Sequence, residues 1–291
     1  MTNKIVFENV SKSYGNFKAL DDINLEIPEG MFGLLGPNGA GKTTFMKILV
    51  TLLDPSEGRV LINGHDAAND KMDVRNIIGF LPQEFSIYPQ LTAHEFLEYI
   101  AGLNAIKDKS KITKALEQVN LLDVKNKKVG GFSGGMKRRL GIAQAILKEP
   151  KILIVDEPTA GLDPEERIRF RTLLVELSQK RSVILSTHIV EDISSTCENI
   201  AFIVKGSMKY IGSTDVFINK AKGKVREFVV RDTRDLSAIK LKYRIISLRR
   251  FSDHTLVRAV GDYSSDDGGK EVEPNLEEAY VYFMHEDDPD V

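Results

Sequence analysis

The chain has 291 residues, 42% hydrophobic and 28% charged, with 40 basic against 42 acidic side chains and a formal net charge of −2. That composition suits a globular protein of one large or two ordinary domains with a real core, and its balanced charge gives no long-range field to favour nucleic acid or an anionic membrane. The single cysteine, Cys197, excludes an internal disulfide framework and fits a reducing compartment.

The opening stretch MTNKIVFENVSKSYG has no long apolar core after its first charge and is not expected to act as a signal peptide. No apolar run approaches the roughly 18 residues of a membrane span, so a membrane role is expected only through a partner. From KIVFENV to INLEIPEG the chain alternates strands with turns, which predicts an antiparallel strip at one edge of a sheet. MFGLLG is then a buried strand, and it breaks into the glycine-rich run GPNGAGKTT before a helical pattern, KTTFMKILVTLL. Gly36, Gly41, Lys42 and Thr43 occupy the fixed positions of G-x-x-x-x-G-K-[ST]. The chemistry explains the spacing. Glycines let the backbone curl so that many N–H groups meet one triphosphate, and the helix opening near Lys42 aims its unpaired N–H groups and dipole at the anion. Gly36, Pro37, Asn38, Gly39, Ala40 and Gly41 form the cradle. Lys42 adds a charge between the β- and γ-phosphates, Thr43 offers a hydroxyl to Mg²⁺, and Thr44 lies near the α-phosphate.

Further strands follow, interleaved with helices: RVLING, IIGFLPQ, KILIVDE, SVILSTH and NIAFIVKG. Several are apolar without alternation, as in strands buried on both faces, and the order predicts an α/β domain with a largely parallel sheet. Ligands of such sheets sit beyond the carboxyl ends of the strands. Those ends carry Gln83, Asp156 with Glu157, and Ser186 with His188. Asp156 is placed to hold Mg²⁺ together with Thr43. Pro158 is expected to keep Glu157 extended just past its strand, facing a water in line with the γ-phosphate as general base. His188 is placed to donate to the γ-phosphate. Gln83 on its own reads equally well as an ordinary polar strand end.

Residues 89–149 carry mostly helical signals. TAHEFLEYIAGL opens on a capping box, Thr92 with Glu95, and the region is expected to be a helical subdomain inserted in the core. Within it, GGFSGGMKRRLGIAQAIL sets Ser133 as an N-cap before the bare backbone of Gly134 and Gly135, a second helix start suited to an anion. Cations in a first turn oppose the helix dipole, so Lys137, Arg138 and Arg139 imply acidic or phosphate neighbours. One phosphate loop and one anion site without a loop suggest a ligand shared between two subunits set head to tail. Asp163, in TAGLDPEER, falls near that seam, although capping the helix of Pro164, Glu165 and Glu166 explains it equally. From about residue 223 the strands VREFVVRD, YRIISLRRF and HTLVRAV, a loop DDGGKEVEPN and a helix LEEAYVYFMHE predict a small α+β appendage, and HEDDPDV a frayed tail.

Taken together, residues 4–215 resemble the ATP-binding subunit of an ABC transporter. GPNGAGKTT matches Walker A, ILIVDE Walker B, and FSGGM the signature that completes the partner's site through Ser133, Gly134 and Gly135. The signature departs from its commonest form, with Phe132 and Met136 in place of Leu and Gln. The resemblance implies a P-loop NTPase core, residues 1–222, followed by the appendage, residues 223–291. It implies ATP and Mg²⁺ as ligands. Asp156, Thr43 and Gln83 take the metal, Glu157 is the catalytic glutamate, and His188 and Lys42 act on the γ-phosphate. Tyr14 stacks on adenine and Asp163 lies at the dimer interface. It further implies a homodimer or heterodimer of such subunits driving a separate integral-membrane permease, without nucleic acid, from the cytoplasmic face of the membrane. Met136 with its basic run, and EPNLEEAYVYFM near the end, resemble the bacterial branch that exports drugs, antibiotics and polysaccharides. The alternatives are a soluble ATPase of the same type acting on a non-membrane partner, and a non-hydrolysing nucleotide-binding module. Intact Glu157 and His188 weigh against the last.

Overall fold

The computed structural model describes residues 4–264 and 267–287. In chain order, β1 (Ile5–Tyr14) and β2 (Phe17–Ile27) precede β3 (Met31–Leu35) and α1 (Lys42–Leu49). Next come β4 (Glu57–Ile62), β5 (His65–Asp66), α2 (Lys71–Ile77) and β6 (Ile78–Leu81). The helical stretch holds α3 (Ala93–Leu103), α4 (Ser110–Gln118) and α5 (Gly134–Ile146), and the chain returns to the sheet as β7 (Ile152–Asp156), α6 (Pro164–Ser178) and β8 (Ser182–Thr187). Then follow α7 (Val190–Ser194), β9 (Asn199–Val204), β10 (Ser207–Ser213) and α8 (Thr214–Lys220). The last elements are β11 (Val225–Val230), α9 (Thr233–Lys242), β12 (Arg244–Arg250), β13 (Thr255–Val260), β14 (Lys270–Glu271) and α10 (Leu276–Asp287).

Two compact units divide the chain between Ile211 and Gly212. The first contains a six-stranded sheet of order β10-β9-β3-β8-β7-β6 and a four-stranded sheet of order β2-β1-β4-β5. In the larger sheet β9, β3, β8, β7 and β6 run parallel. In the smaller one the pairings are antiparallel, as the alternating N-terminal pattern predicts, but it is a separate sheet rather than a strip at the edge of the larger one, and it takes in RVLING as β4. β3, β7 and β8 are buried along their whole length, which is why their sequences lack polar alternation. The core lies between the two sheets around α1: Phe7 of the smaller sheet stacks on Phe45 of α1 at 4.3 Å between ring centres. Burying each ring contributes on the order of 2–3 kcal/mol, so this contact fixes the helix that presents Lys42.

Some elements differ from the sequence expectation. α1 ends at Leu49 rather than running on through TLL, because Thr51 takes a left-handed φ of 60° and Arg75 Nε donates to its hydroxyl at 2.7 Å. α7 is one short turn rather than a full helix over IVEDISSTCENI. The stretch expected as a continuous loop, DDGGKEVEPN, contributes Lys270–Glu271 as a short edge strand on β11.

The second unit is a sheet of order β12-β13-β11-β14 with α9 and α10. Its core is Phe228, Val230, Val257 and Ala259. α8 belongs with it, packing Phe217 against Phe283 of α10. Glu278, almost fully buried, is held by Arg258 through Nε at 2.7 Å and Nη2 at 3.0 Å, a two-point pairing that satisfies the charge. The acidic end, 288–291, lies outside the described residues.

Candidate functional site

The register of the parallel sheet decides which side chains meet. Leu81 pairs with Val155, Asp156 with Ser186, and Thr187 with Leu35. Four neighbouring strands therefore end level with one another. Gln83, Asp156 with Glu157, His188 and the Gly36 loop all emerge at that one edge, where a parallel sheet leaves a crevice for ligands.

The loop is shaped by close approaches. A Cβ on Gly36 would lie 2.3 Å from the carbonyl oxygen of Ile203, and Gly41, at φ 109°, would place one 2.6 Å from that of Ala19. Neither position admits a side chain. Gly41 caps α1, which has no acidic residue in its first turn, so the field of its N-terminus is free for an anion. Lys42, nearly buried, folds back over the loop: its Nζ donates to the carbonyls of Gly36 at 2.7 Å and Pro37 at 3.1 Å, and lies 3.4 Å from Glu157 Oε1. Those acceptors are the ones a phosphate has to displace. Thr43 is exposed beside it and Thr44 half-buried.

Glu157 departs from expectation in its backbone. Its φ is 46°, in the left-handed region, rather than extended as the following Pro158 leads one to expect. Two sets of bonds hold it there. Its N–H donates to Ser186 O at 2.9 Å, prolonging the ladder to β8, and its carboxylate is shared between Lys42 and His188 Nδ1, the latter at 2.7 Å from Oε2. A left-handed non-glycine residue costs about 1–3 kcal/mol, and these three polar contacts offset it. With Nδ1 committed to Glu157, the Nε2 side of the His188 ring is the one left to meet a ligand.

Asp156 is only 4% exposed, and its Oδ1 has no hydrogen-bond partner. Burial pushes its carboxyl above the ordinary carboxylate range, and the charge of Glu157 adds to that against the opposing pull of Lys42. A buried carboxylate with an unused oxygen, at the sheet edge where Thr43 also opens α1 with an exposed side chain, suits a hard divalent cation.

A cluster the sequence reading missed lies immediately behind. Asp192, fully buried in α7, accepts from the hydroxyl of Thr159 and, at 3.5 Å, from that of Thr187. Burial raises its pKa, and Arg171 stands 3.8 Å from Oδ1. One carboxylate thus ties the segment after Glu157 to the strand end that carries His188. Beside Glu191 in a polar stretch, VEDISST, Asp192 gives no signal in the sequence, and its partners are distant along the chain.

The remaining expected residues lie apart from this cluster. Tyr14 closes the β1–β2 hairpin, 49% exposed, with the Lys12 ammonium 5.7 Å from its ring centre. Gln83 has an exposed side chain, while its carbonyl accepts from Arg138. Ser133 caps α5, accepting from Met136 N at 3.1 Å, with Gly134 exposed at the helix start. Gly135 is buried against Glu166, whose Oε2 would lie 1.8 Å from an added Cβ. Asp163 caps α6 by accepting from Glu166 N at 2.9 Å. The first-turn cations are answered only in part by acids. Arg139 reaches Glu166 at 3.7 Å, whereas Arg138 bonds backbone carbonyls of Pro82 and Gln83 and lies over the Phe85 ring. A cavity of about 450 Å³ opens here, between Gln83, Phe85 and Ile87 on one side and Gly134, Arg138 and Leu162 on the other.

Comparison with known proteins identifies the family. The family model described as ABC transporter matches residues 20–160. An uncharacterized ABC transporter ATP-binding protein of Bacillus subtilis, YxlF, is 39% identical over 70% of this chain and 69% of its own length. The linearmycin resistance ATP-binding protein LnrL of the same organism is 36% identical over 71% of this chain and 68% of its own length. Among solved structures, the dimeric, post-hydrolysis form of the ATP-binding cassette MJ0796, bound to ADP and Pi, superposes with a TM-score of 0.63 at 27% identity, covering 72% of this chain and 98% of that one.

Proposed function

We propose that this chain, which belongs to the ABC transporter family, drives a separate integral-membrane permease by closing as a dimer around two ATP molecules and opening again after hydrolysis. It is an ATP-binding subunit and an ATPase with a P-loop NTPase fold. Among the described residues no helix is long and apolar enough to cross a membrane, so the reading requires a membrane partner, with this chain bound to its cytoplasmic face. The names of resistance proteins among the relatives, such as LnrL, support export.

The observation that carries the reading is the bonded chain from buried Lys42 and Glu157 to the exposed ring of His188 at the carboxyl edge of the sheet. With ATP in place, Lys42 leaves the loop carbonyls for the β- and γ-phosphates, and the N–H groups from Gly39 to Thr44 cradle them. Glu157, released from Lys42 but still oriented by His188 Nδ1, takes the proton of the attacking water. The Nε2 edge of His188 faces the γ-phosphate. Asp156 and Thr43, with Gln83 at the neighbouring strand end, are the residues to hold Mg²⁺, which when bound would offset charge on the phosphates. Tyr14 stacks on the adenine; such stacking contributes about 1–3 kcal/mol. Ser133, Gly134 and Gly135 of each subunit face the γ-phosphate of the other, and Asp163 lies at the seam. Closure requires ATP to favour the closed state by several kcal/mol. The cavity beside Gln83, apolar at Phe85 and Ile87, is the place for a permease loop to dock.

The test uses tagged Glu157→Gln protein in its native host, with Mg-ATP added to solubilised membranes before purification. Co-purification of a stoichiometric multi-span membrane protein supports the reading. An ATP-dependent dimer that brings no membrane protein replaces the transport reading with that of a soluble ATPase.

A further inference from the structure

At the opposite end of the sheet from the nucleotide edge, β8 begins at Ser182, preceded by Lys180 and Arg181. His188 and Arg181 are separated by the length of that strand, on the order of 20 Å. A cavity of about 600 Å³ opens there, walled by α4, the end of α5 and the turn before β8. Four cations line it, Lys111, Lys114, Lys180 and Arg181, against two carboxylates, Glu117 and Glu149.

The four cations are not equivalent. Lys111 is already paired with Glu149 at 2.6 Å. Lys114 and Lys180 are exposed at the rim. Arg181 is only 9% exposed, and its Nε and Nη1 are buried without a hydrogen-bond partner. Glu149 attracts it through space but accepts no bond from it. An arginine cannot shed its charge as a buried lysine can, so its donors need an acceptor. Buried polar groups in folded proteins are nearly always bonded, and those that are not call for a ligand, an ion or water. No nearby carbonyl or carboxylate supplies the acceptor, while the fork of a guanidinium matches two oxygens of an oxyanion. With Lys111 matched by Glu149, Arg181 and the two rim lysines face only Glu117, a surplus of two positive charges that suits a dianion better than a carboxylate.

We propose that this cavity is a binding site for a small phosphate-type dianion, gripped by the Arg181 guanidinium at its floor and by Lys114 and Lys180 at its mouth. The volume admits either free phosphate or a small phosphate monoester. Because the ligand would touch α4 on one side and the α6–β8 turn on the other, its occupancy joins the helical subdomain to the sheet from the face remote from ATP.

The full chain, with its nucleotide site saturated by a non-hydrolysable ATP analogue so that the Lys42 loop takes no phosphate, is titrated calorimetrically with inorganic phosphate and with glycerol 3-phosphate. Saturable binding is expected, weakened about 10- to 100-fold by Arg181→Gln, the loss expected for removing a charge-assisted hydrogen-bond pair. A monoester that binds more tightly than phosphate identifies a phosphorylated small molecule as the ligand, and the reverse order identifies free phosphate. Should Arg181→Gln fail to fold, Lys114→Glu with Lys180→Glu, both on the surface, is expected to abolish binding. Absence of saturable binding up to about 10 mM, or equal affinity in wild type and the folded variants, overturns the proposal. ATP hydrolysis without added phosphate should be unchanged in the variants, so the outcome is independent of the role proposed for Glu157.

Discussion

Replacing Glu157 by Gln separates the two jobs its carboxylate has in this structure. One is proton transfer. A general base contributes about 10²- to 10⁴-fold, or roughly 3–5 kcal/mol of barrier at 1.36 kcal/mol per decade. The other is restraint of Lys42, whose Nζ lies 3.4 Å from Oε1 in a site where both side chains are less than a tenth exposed. At an effective dielectric of about 20, charges at that distance attract by roughly 5 kcal/mol, most of it offset by the hydration both groups forgo. A net remainder of about 1 kcal/mol would be released to ATP when the amide replaces the carboxylate, a gain of roughly five- to tenfold in affinity. The His188 contact can survive, since the amide oxygen still accepts from Nδ1–H. Phosphate release at saturating Mg-ATP and displacement of a fluorescent ATP analogue read the two effects independently. Turnover should fall at least a hundredfold while ATP binds more tightly and its complex dimerises. Turnover within about threefold of wild type would refute the role of base, and weaker ATP binding would refute the account of Lys42 as a group held back by Glu157.

Asp156→Asn should inactivate the enzyme yet raise the melting temperature measured without nucleotide, because it removes a buried carboxylate set beside Glu157. The sign follows from linkage: with the folded pKa raised above the ordinary 3.8, ionisation costs stability, so the contribution present below pH 3.8 is lost as pH rises through the folded pKa. The variant should lose that part of the pH dependence in denaturant titrations. Gly135→Ala must push Glu166 away and break its approach to Arg139, costing about 1–3 kcal/mol by overpacking; chemical denaturation reads the cost, and hydrolysis should fall with it. Cys197, buried with its thiol pushed up to about 12 by desolvation, should resist iodoacetamide at neutral pH in the folded protein and react at once in denaturant.

What the sequence discloses about the site is its local part. The loop from Gly36 to Thr44 and the acids after β7 are legible because each is a few residues with one spacing rule, and the strand-end positions follow from buried apolar runs. What the sequence hides is long-range or conformational. That Glu157 adopts a φ of 46° depends on a β8 carbonyl and a histidine 31 residues away, and the local preference imposed by Pro158 points to the opposite conformation. That Thr159 and Asp192 meet depends on the register of two strands, which no pattern within either segment encodes. α9 escapes notice for a simpler reason: only Leu236 and Ile239 face its sheet, too few apolar positions to give a periodic signal in ten residues.

These hidden contacts bear on how hydrolysis could move the molecule. Lys42, Glu157 and His188 form one bonded chain, and Asp192 bonds the strand end before His188 to Thr159, four residues before Asp163. A phosphate that draws Lys42 away from Glu157 removes the cation 3.4 Å from Oε1, and one that engages His188 loads the strand end to which Asp192 is fastened. The path from the γ-phosphate position to the segment ending in Asp163 therefore needs no flexible element. Apart from His188 it runs through buried side chains, the kind of packed network in which a small change at one end can be passed to the other. Thr159→Val tests that path without touching a nucleotide contact: the Asp192 carboxylate loses its short-range donor, and ATP affinity in the monomer should stay within about twofold while ATP-dependent dimerisation weakens about tenfold. Dimerisation equal to wild type, measured by analytical ultracentrifugation of the Glu157→Gln background with and without the second change, would show that Asp192 serves folding alone.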